Sequence, residues 1–174
     1  MAFEPNPYQA PTHEVAAAPP VTTAGGEQLA TRGDRFLAAT VDGLIAIALF
    51  FPLQYAAGTY DGFPNIKPQS YVQTLLWGLL STAVWLALHG YFLHKSAQTI
   101  GKKLLGIQIV NFEDGKPTPI TRIFLRRHLP FHMLATLIPK VGPILSFVNI
   151  SFIFRKDQRC LHDYLAETRV IKLR

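Results

Sequence analysis

Two residues stand out in the apolar stretch GDRFLAATVDGLIAIALFF, Gly33 to Phe51: Arg35 and, seven positions later, Asp42. Seven residues is close to two turns of helix, so both sit on one face. The same stripe carries Ala38, Ala39 and Ala46, with Gly43 beside it, small residues that let a neighbouring helix come close. Asp42 is therefore expected to point into the protein. A lone aspartate near the middle of a bilayer costs about 3 kcal/mol on insertion scales, so it needs a cation, a proton or hydrogen-bond donors. Arg35 lies too far along the axis for ideal contact, although its side chain is long. Ser81, Thr82, His89, Gln98 and Asn149 are the other candidate donors. Two readings stay open. Asp42 is part of a structural ion pair, costly to break, or it binds an ion or cycles a proton.

Further polar residues cluster by type. His162 and Asp163 are adjacent and could join Arg35 and Lys102 in one constellation. That constellation is either an ionic staple or an entry site that titrates, with His162 as its pH-sensitive member. Gln98, Gly101, Lys102 and Gly106 form a second group, in which the glycines permit close backbone approach or turns. Lys102 and Lys103 face anionic headgroups or the Asp163 carboxylate. His128 and His132 have the i,i+4 spacing that can hold one metal. No carboxylate or cysteine accompanies them nearby, so interface histidines and no metal are expected. The single cysteine, Cys160, reads as an ordinary thiol. Gly101-Lys102-Lys103 lacks the upstream glycine of a phosphate loop, and neither a catalytic triad nor a zinc box is recognisable. The expectation is a protein that is not an enzyme and takes no cofactor.

The elements that must position these residues come from composition and charge. The chain has 174 residues, 49% hydrophobic and only 16% charged, which is greasy for its size. Its net charge of +6 comes from basic residues that flank apolar segments. That placement suits the cytoplasmic side of a membrane and anionic headgroups, and excludes nucleic acid as a partner. Residues 1–30, rich in Pro, Ala and Thr, read as a disordered tail without signal-peptide character, leaving 31–174 as one transmembrane domain. Phe36 to Ala57 and Tyr71 to Leu93 are apolar segments of bilayer length. Leu129 to Phe154 holds Pro139, Lys140, Gly142 and Pro143 at its centre, which favours a hairpin over one helix. Seven basic residues lie between Leu93 and His128 and six follow Phe154, against one in the Tyr55–Ser70 loop. Keeping both basic segments in the cytoplasm requires the hairpin. The expected fold is an all-α membrane protein: a small bundle of four segments, the last two a short hairpin, with both termini cytoplasmic. LLGIQIVN and ETRVIKLR alternate like strands and are expected to pair on that face, because an isolated strand is unstable. Four helices barely enclose a path, so a homo-oligomer is expected.

Three blocks carry a resemblance. Arg35-Phe36 through Asp42 resembles the opening helix of the RDD family of bacterial membrane proteins, named for one Arg and two Asp. Gln98-Thr99-Ile100-Gly101-Lys102 resembles its Gln-Thr-x-Gly-Lys block, and Leu161-His162-Asp163 its Leu-His-Asp block, which supplies the second Asp. The resemblance implies a multi-pass inner-membrane protein and, since a transport role is proposed for the family, a small ion-coupled transporter or cation/proton exchanger. The alternative is an assembly or accessory protein whose buried Arg and Asp residues are structural.

Overall fold

The first long helix starts where a capping box allows it. Thr31 Oγ1 accepts from the Asp34 N–H at 3.0 Å and the Asp34 carboxylate accepts from the Thr31 N–H at 3.3 Å. In this computed structural model, which describes Thr22 and residues 26–65, 69–138 and 141–173, the helix runs Arg32–Ala56 (α1). Ser70 and Gln73 form the same box ahead of α2, Tyr71–Ser96, which ends on Ala97 in the left-handed region (φ 51). At 25 and 26 residues both exceed the thickness of a hydrocarbon core, about 30 Å at 1.5 Å per residue. Their mean hydropathy is 2.1 and 1.4, yet only 6% of each apolar stretch is buried. Leu44, Ile47, Phe51, Leu76 and Leu79 face outward. The core helix of a water-soluble protein would bury such side chains.

The third apolar region is broken as the prolines require. A short helix at Ile120–Arg122 (α4) runs into a π-helical turn, Ile123–His128, and then α5, Leu129–Leu137. Pro130 has no N–H for the Arg126 carbonyl and its ring crowds that carbonyl, and the widened turn sits just ahead of it. Ile138 leaves the helix (φ −130, ψ 80), and α6 follows at Val141–Ser151. Pro139 and Lys140, expected at the hairpin turn, lie outside the described residues. The two arms pack closely: a Cβ on Gly142 would lie 3.2 Å from Ala135 Cβ. They are short, about 14 and 17 Å long. The chain is thus mostly helical, with two long apolar helices and a short hairpin.

The small sheet completes it. α3, Ile100–Leu104, leads into β1, Ile107–Asn111, which pairs antiparallel with β2, Thr168–Lys172, Ile109 opposite Val170. The fold begins earlier than the expected boundary at residue 30. The Ala30 N–H donates to Val170 O at 3.0 Å, and the Lys172 N–H donates to Gln28 O at 2.9 Å. The free edge of β2 offers backbone groups that need partners, and residues 28–30 supply them. Residues 1–21 and 23–25 of the expected tail lie outside the described residues.

The fully buried apolar residues, Ala38, Leu93, Ile107, Ile109, Ile123 and Val170 among them, gather where the start of α1, the end of α2 and the sheet meet. The water-excluding core therefore sits at one end of the long helices. There α1 touches α3 almost backbone to backbone, since a Cβ on Gly101 would lie 2.1 Å from Ala38 O. Gly101→Ala is expected to lower unfolding stability in detergent by about 1–3 kcal/mol. Gly90→Ala, with nothing within 4 Å of the added Cβ, should be neutral or gain up to about 1 kcal/mol.

Candidate functional site

α7, Leu161–Leu165, is too short to hold itself in place, and its acidic residue ties it down. Asp163 is 0% exposed. Its carboxylate takes Arg35 Nη2 from α1 at 2.5 Å and Arg127 Nη2 from the π-helical turn at 3.0 Å. It also accepts the Cys160 N–H at 3.0 Å and Thr168 Oγ1 at 3.4 Å. Arg35 donates further to Gln158 O and to Cys160 Sγ. Arg159 links Thr168 O and Asp163 O, at 3.0 and 3.1 Å. Burial pulls the Asp163 carboxyl up, but Arg127 and Arg35 outweigh it and hold the group well below the usual carboxylate range.

His162 is fixed by the same cluster. Asn149 Oδ1 accepts the His162 backbone N–H at 3.0 Å and lies 2.8 Å from Nδ1. That oxygen only accepts, so Nδ1 carries the ring proton. Nε2 is then free to accept from Arg127 Nη2, 2.9 Å away. Burial pushes the ring down to about 3, against the pull of Asp163 and with the push of Arg127. Of the two alternatives open for this constellation, the contacts favour the ionic staple, with the His162 ring neutral near physiological pH.

Asp42 is built differently. It accepts Thr99 Oγ1 at 2.6 Å and the Gly101 N–H at 2.7 Å, and no salt bridge reaches it among the described residues. Thr99 caps α3, and Lys102 Nζ lies 3.4 Å from the same hydroxyl. A Cβ at Gly101 would come within 3.0 Å of the carboxylate, so the residue must be small. Burial first, and Arg127 next, bring the Lys102 ammonium down to about 8. Asp42 is half-buried and lines two adjoining cavities of about 330 and 430 Å³. His89 lines the first of these and Lys102 and Arg127 the second, while His128 and His132 line both.

The structure separates the expected constellation from Asp42. Arg35 pairs with Asp163 and His162 lies beside them, whereas Asp42 meets none of its five expected donors. His89 Nδ1 accepts the Ile100 N–H at 3.3 Å, and Ser81 and Thr82 donate to Gly78 O. Asn149 serves His162, and Gln98 Nε2 donates to Ile107 O at 2.8 Å. Gly106, with φ +62, makes the turn into β1, and Gln98 supports that turn rather than the site. Lys103 rests over the Phe92 ring at 4.3 Å. The partners missed by residue type are Thr99 and the Gly101 backbone, both within the Gln-Thr-x-Gly-Lys block. Arg127, one of the seven basic residues between Leu93 and His128, lies inside, on Asp163.

His128 stacks on Trp85 at 3.8 Å and on His132 at 5.4 Å, which explains why Trp85 sits away from a helix end. His132 Nε2 lies 2.9 Å from Ser81 Oγ and 3.0 Å from Gly78 O, so it is engaged there. Cys160, His162 and Asp163 bring possible ligand atoms within 4.8 Å of one another. Two guanidinium groups and Asn149 already occupy those atoms, an environment hostile to a metal cation.

The family model described as RDD family matches residues 29–167. No curated protein and no solved structure matches the chain.

The Asp163 cluster sets an acid limit. Its folded carboxyl lies below its unfolded value near 4, so its contribution is complete above that pH. As pH falls below about 4 the unfolded chain binds the proton more readily and the contribution is lost. Asp163→Asn is expected to lose about 3–5 kcal/mol at neutral pH and to flatten the acid side of the stability profile, measured by denaturant unfolding from pH 7 to 3.

Proposed function

The chain belongs to the RDD family, and we propose that it is a multi-pass inner-membrane protein that exchanges a small cation for a proton at Asp42. The observation that carries this reading is the contrast between its two buried-site carboxylates. Asp163 is fully buried between two guanidinium groups. Asp42 is held by neutral donors and lines a cavity together with Lys102, Arg127 and Asn149. One carboxylate can hold a proton or a small cation but not both, which is what exchange requires. Thr99 and Gly101 orient the group. Lys102 and the histidines line the approach.

In this reading α1 and α2 cross the bilayer, and the α5–α6 hairpin enters from the basic face and returns to it, leaving both termini in the cytoplasm. Two long helices and a short hairpin enclose little on their own, so the working unit is a homo-oligomer. A second reading, a non-transporting accessory protein, draws support from the Asp163 cluster, which ties α7 to α1, to the π-helical turn and, through Arg159, to β2.

The test is cation and proton flux in proteoliposomes, wild type against Asp42→Asn at matched folded protein. Asparagine keeps an acceptor oxygen for the Gly101 N–H, and its amide nitrogen can donate to Thr99 Oγ1, so unfolding stability should change by no more than about 1–2 kcal/mol. Flux should fall to the level of empty liposomes. Unchanged flux in the variant, or no flux in the wild type under sodium, potassium or pH gradients, contradicts the proposal.

A further inference from the structure

Beside the Asp42 cavities lies a third, of about 580 Å³, between α1, α6 and the segment before α7. Arg32, Arg35, Lys102 and Arg127 line it, and no carboxylate does. Asp163 lies behind them and neutralises one of these cations. Arg127 is the informative member. Its side chain is 10% exposed, yet Nη1 has no hydrogen-bond partner among the described residues. A buried guanidinium N–H without an acceptor is costly, and a site that leaves one is short of an acceptor oxygen. Ser146 and Asn149 of α6 add polar groups to the same wall.

The remaining wall is apolar. Phe36, Ile150 and Phe154 line the cavity and are themselves 69%, 57% and 70% exposed. Arg32 lies over the Phe154 ring at 5.6 Å, so cations and outward-facing apolar side chains share this wall. An amphiphile with an anionic head matches both, whereas a free anion would use only the cations.

From this charge and shape complementarity we infer that the cavity is a binding site for an anionic phospholipid, its phosphate on Arg127 and Lys102 and an acyl chain leaving over Ile150 toward the bilayer interior. The inference rests on the membrane placement proposed above. It is distinct from the exchange reaction, because Asp42 does not line this cavity. Phosphate matched to a planar guanidinium is a strong, geometrically selective pairing.

Native mass spectrometry of the full chain in detergent tests it, after incubation with phosphatidylglycerol or phosphatidylcholine of matched chains, or with inorganic phosphate. Retention of phosphatidylglycerol over phosphatidylcholine is expected. Lys102→Gln should weaken phosphatidylglycerol retention about fivefold and leave phosphatidylcholine unchanged. Ile150→Trp, at an outward-facing position that the fold does not need, should also weaken it by crowding the chain end. Equal retention of the two lipids, full retention in both variants, or equal thermal stabilisation by inorganic phosphate and phosphatidylglycerol overturns the lipid site. A chain that stays monodisperse in water without detergent overturns the membrane placement itself, a result separable from the others.

Discussion

Burying a carboxylate completely obliges a chain to bring cations to it, and around Asp163 that obligation organises the molecule. Arg35 comes from the start of α1, Arg127 from the π-helical turn, and the backbone of Cys160 from the entrance to α7. Arg159 carries the network on to β2. Removing any partner leaves a charge where water does not reach, which costs more than the pair contributes. The cluster thus joins segments far apart in sequence where the apolar core also gathers.

Two carboxylates in one small protein sit in opposite surroundings. Asp163 is surrounded by charge and excluded from solvent. Asp42, on the same helix as Arg35, faces a hydroxyl and a backbone N–H where Gly101 packs closely on the Ala38 backbone. That approach depends on a single missing methyl at Gly101. The Asp163 cluster joins α1 to the π-helical turn, beside a cavity of about 430 Å³ that Asp42 lines.

What the sequence made legible was what local pattern controls. Length and apolarity identified α1 and α2, alternation identified the strands β1 and β2, and the prolines required a break near residue 138. A constellation of Arg35, Lys102, His162 and Asp163 was legible by residue type, and the pairing of Arg35 with Asp163 lies within it. Choice of partner across long separations was not legible. Arg127 shares a basic stretch with Arg126, and residue type does not tell which turns inward; the π-helical turn decides it. Thr99 and a glycine N–H carry no charge, so nothing in composition marked them as the partners of Asp42. The neutral state of His162 depends on Asn149, thirteen residues away, and on Arg127. Residues 28–30 looked like tail because their order comes from the edge of β2 and not from themselves.

The division of labour between the two aspartates is most directly tested by carbodiimide labelling of the folded, membrane-embedded protein, with adducts mapped by mass spectrometry. An apolar carbodiimide reacts with carboxyl groups that take up a proton and can be approached. Adducts are predicted on Asp42, suppressed by the cation proposed to exchange there, with Asp163 unmodified until the protein unfolds. Modification of Asp163 in the folded state, with Asp42 inert, would contradict the assignment of one carboxylate to the fold and the other to the ion.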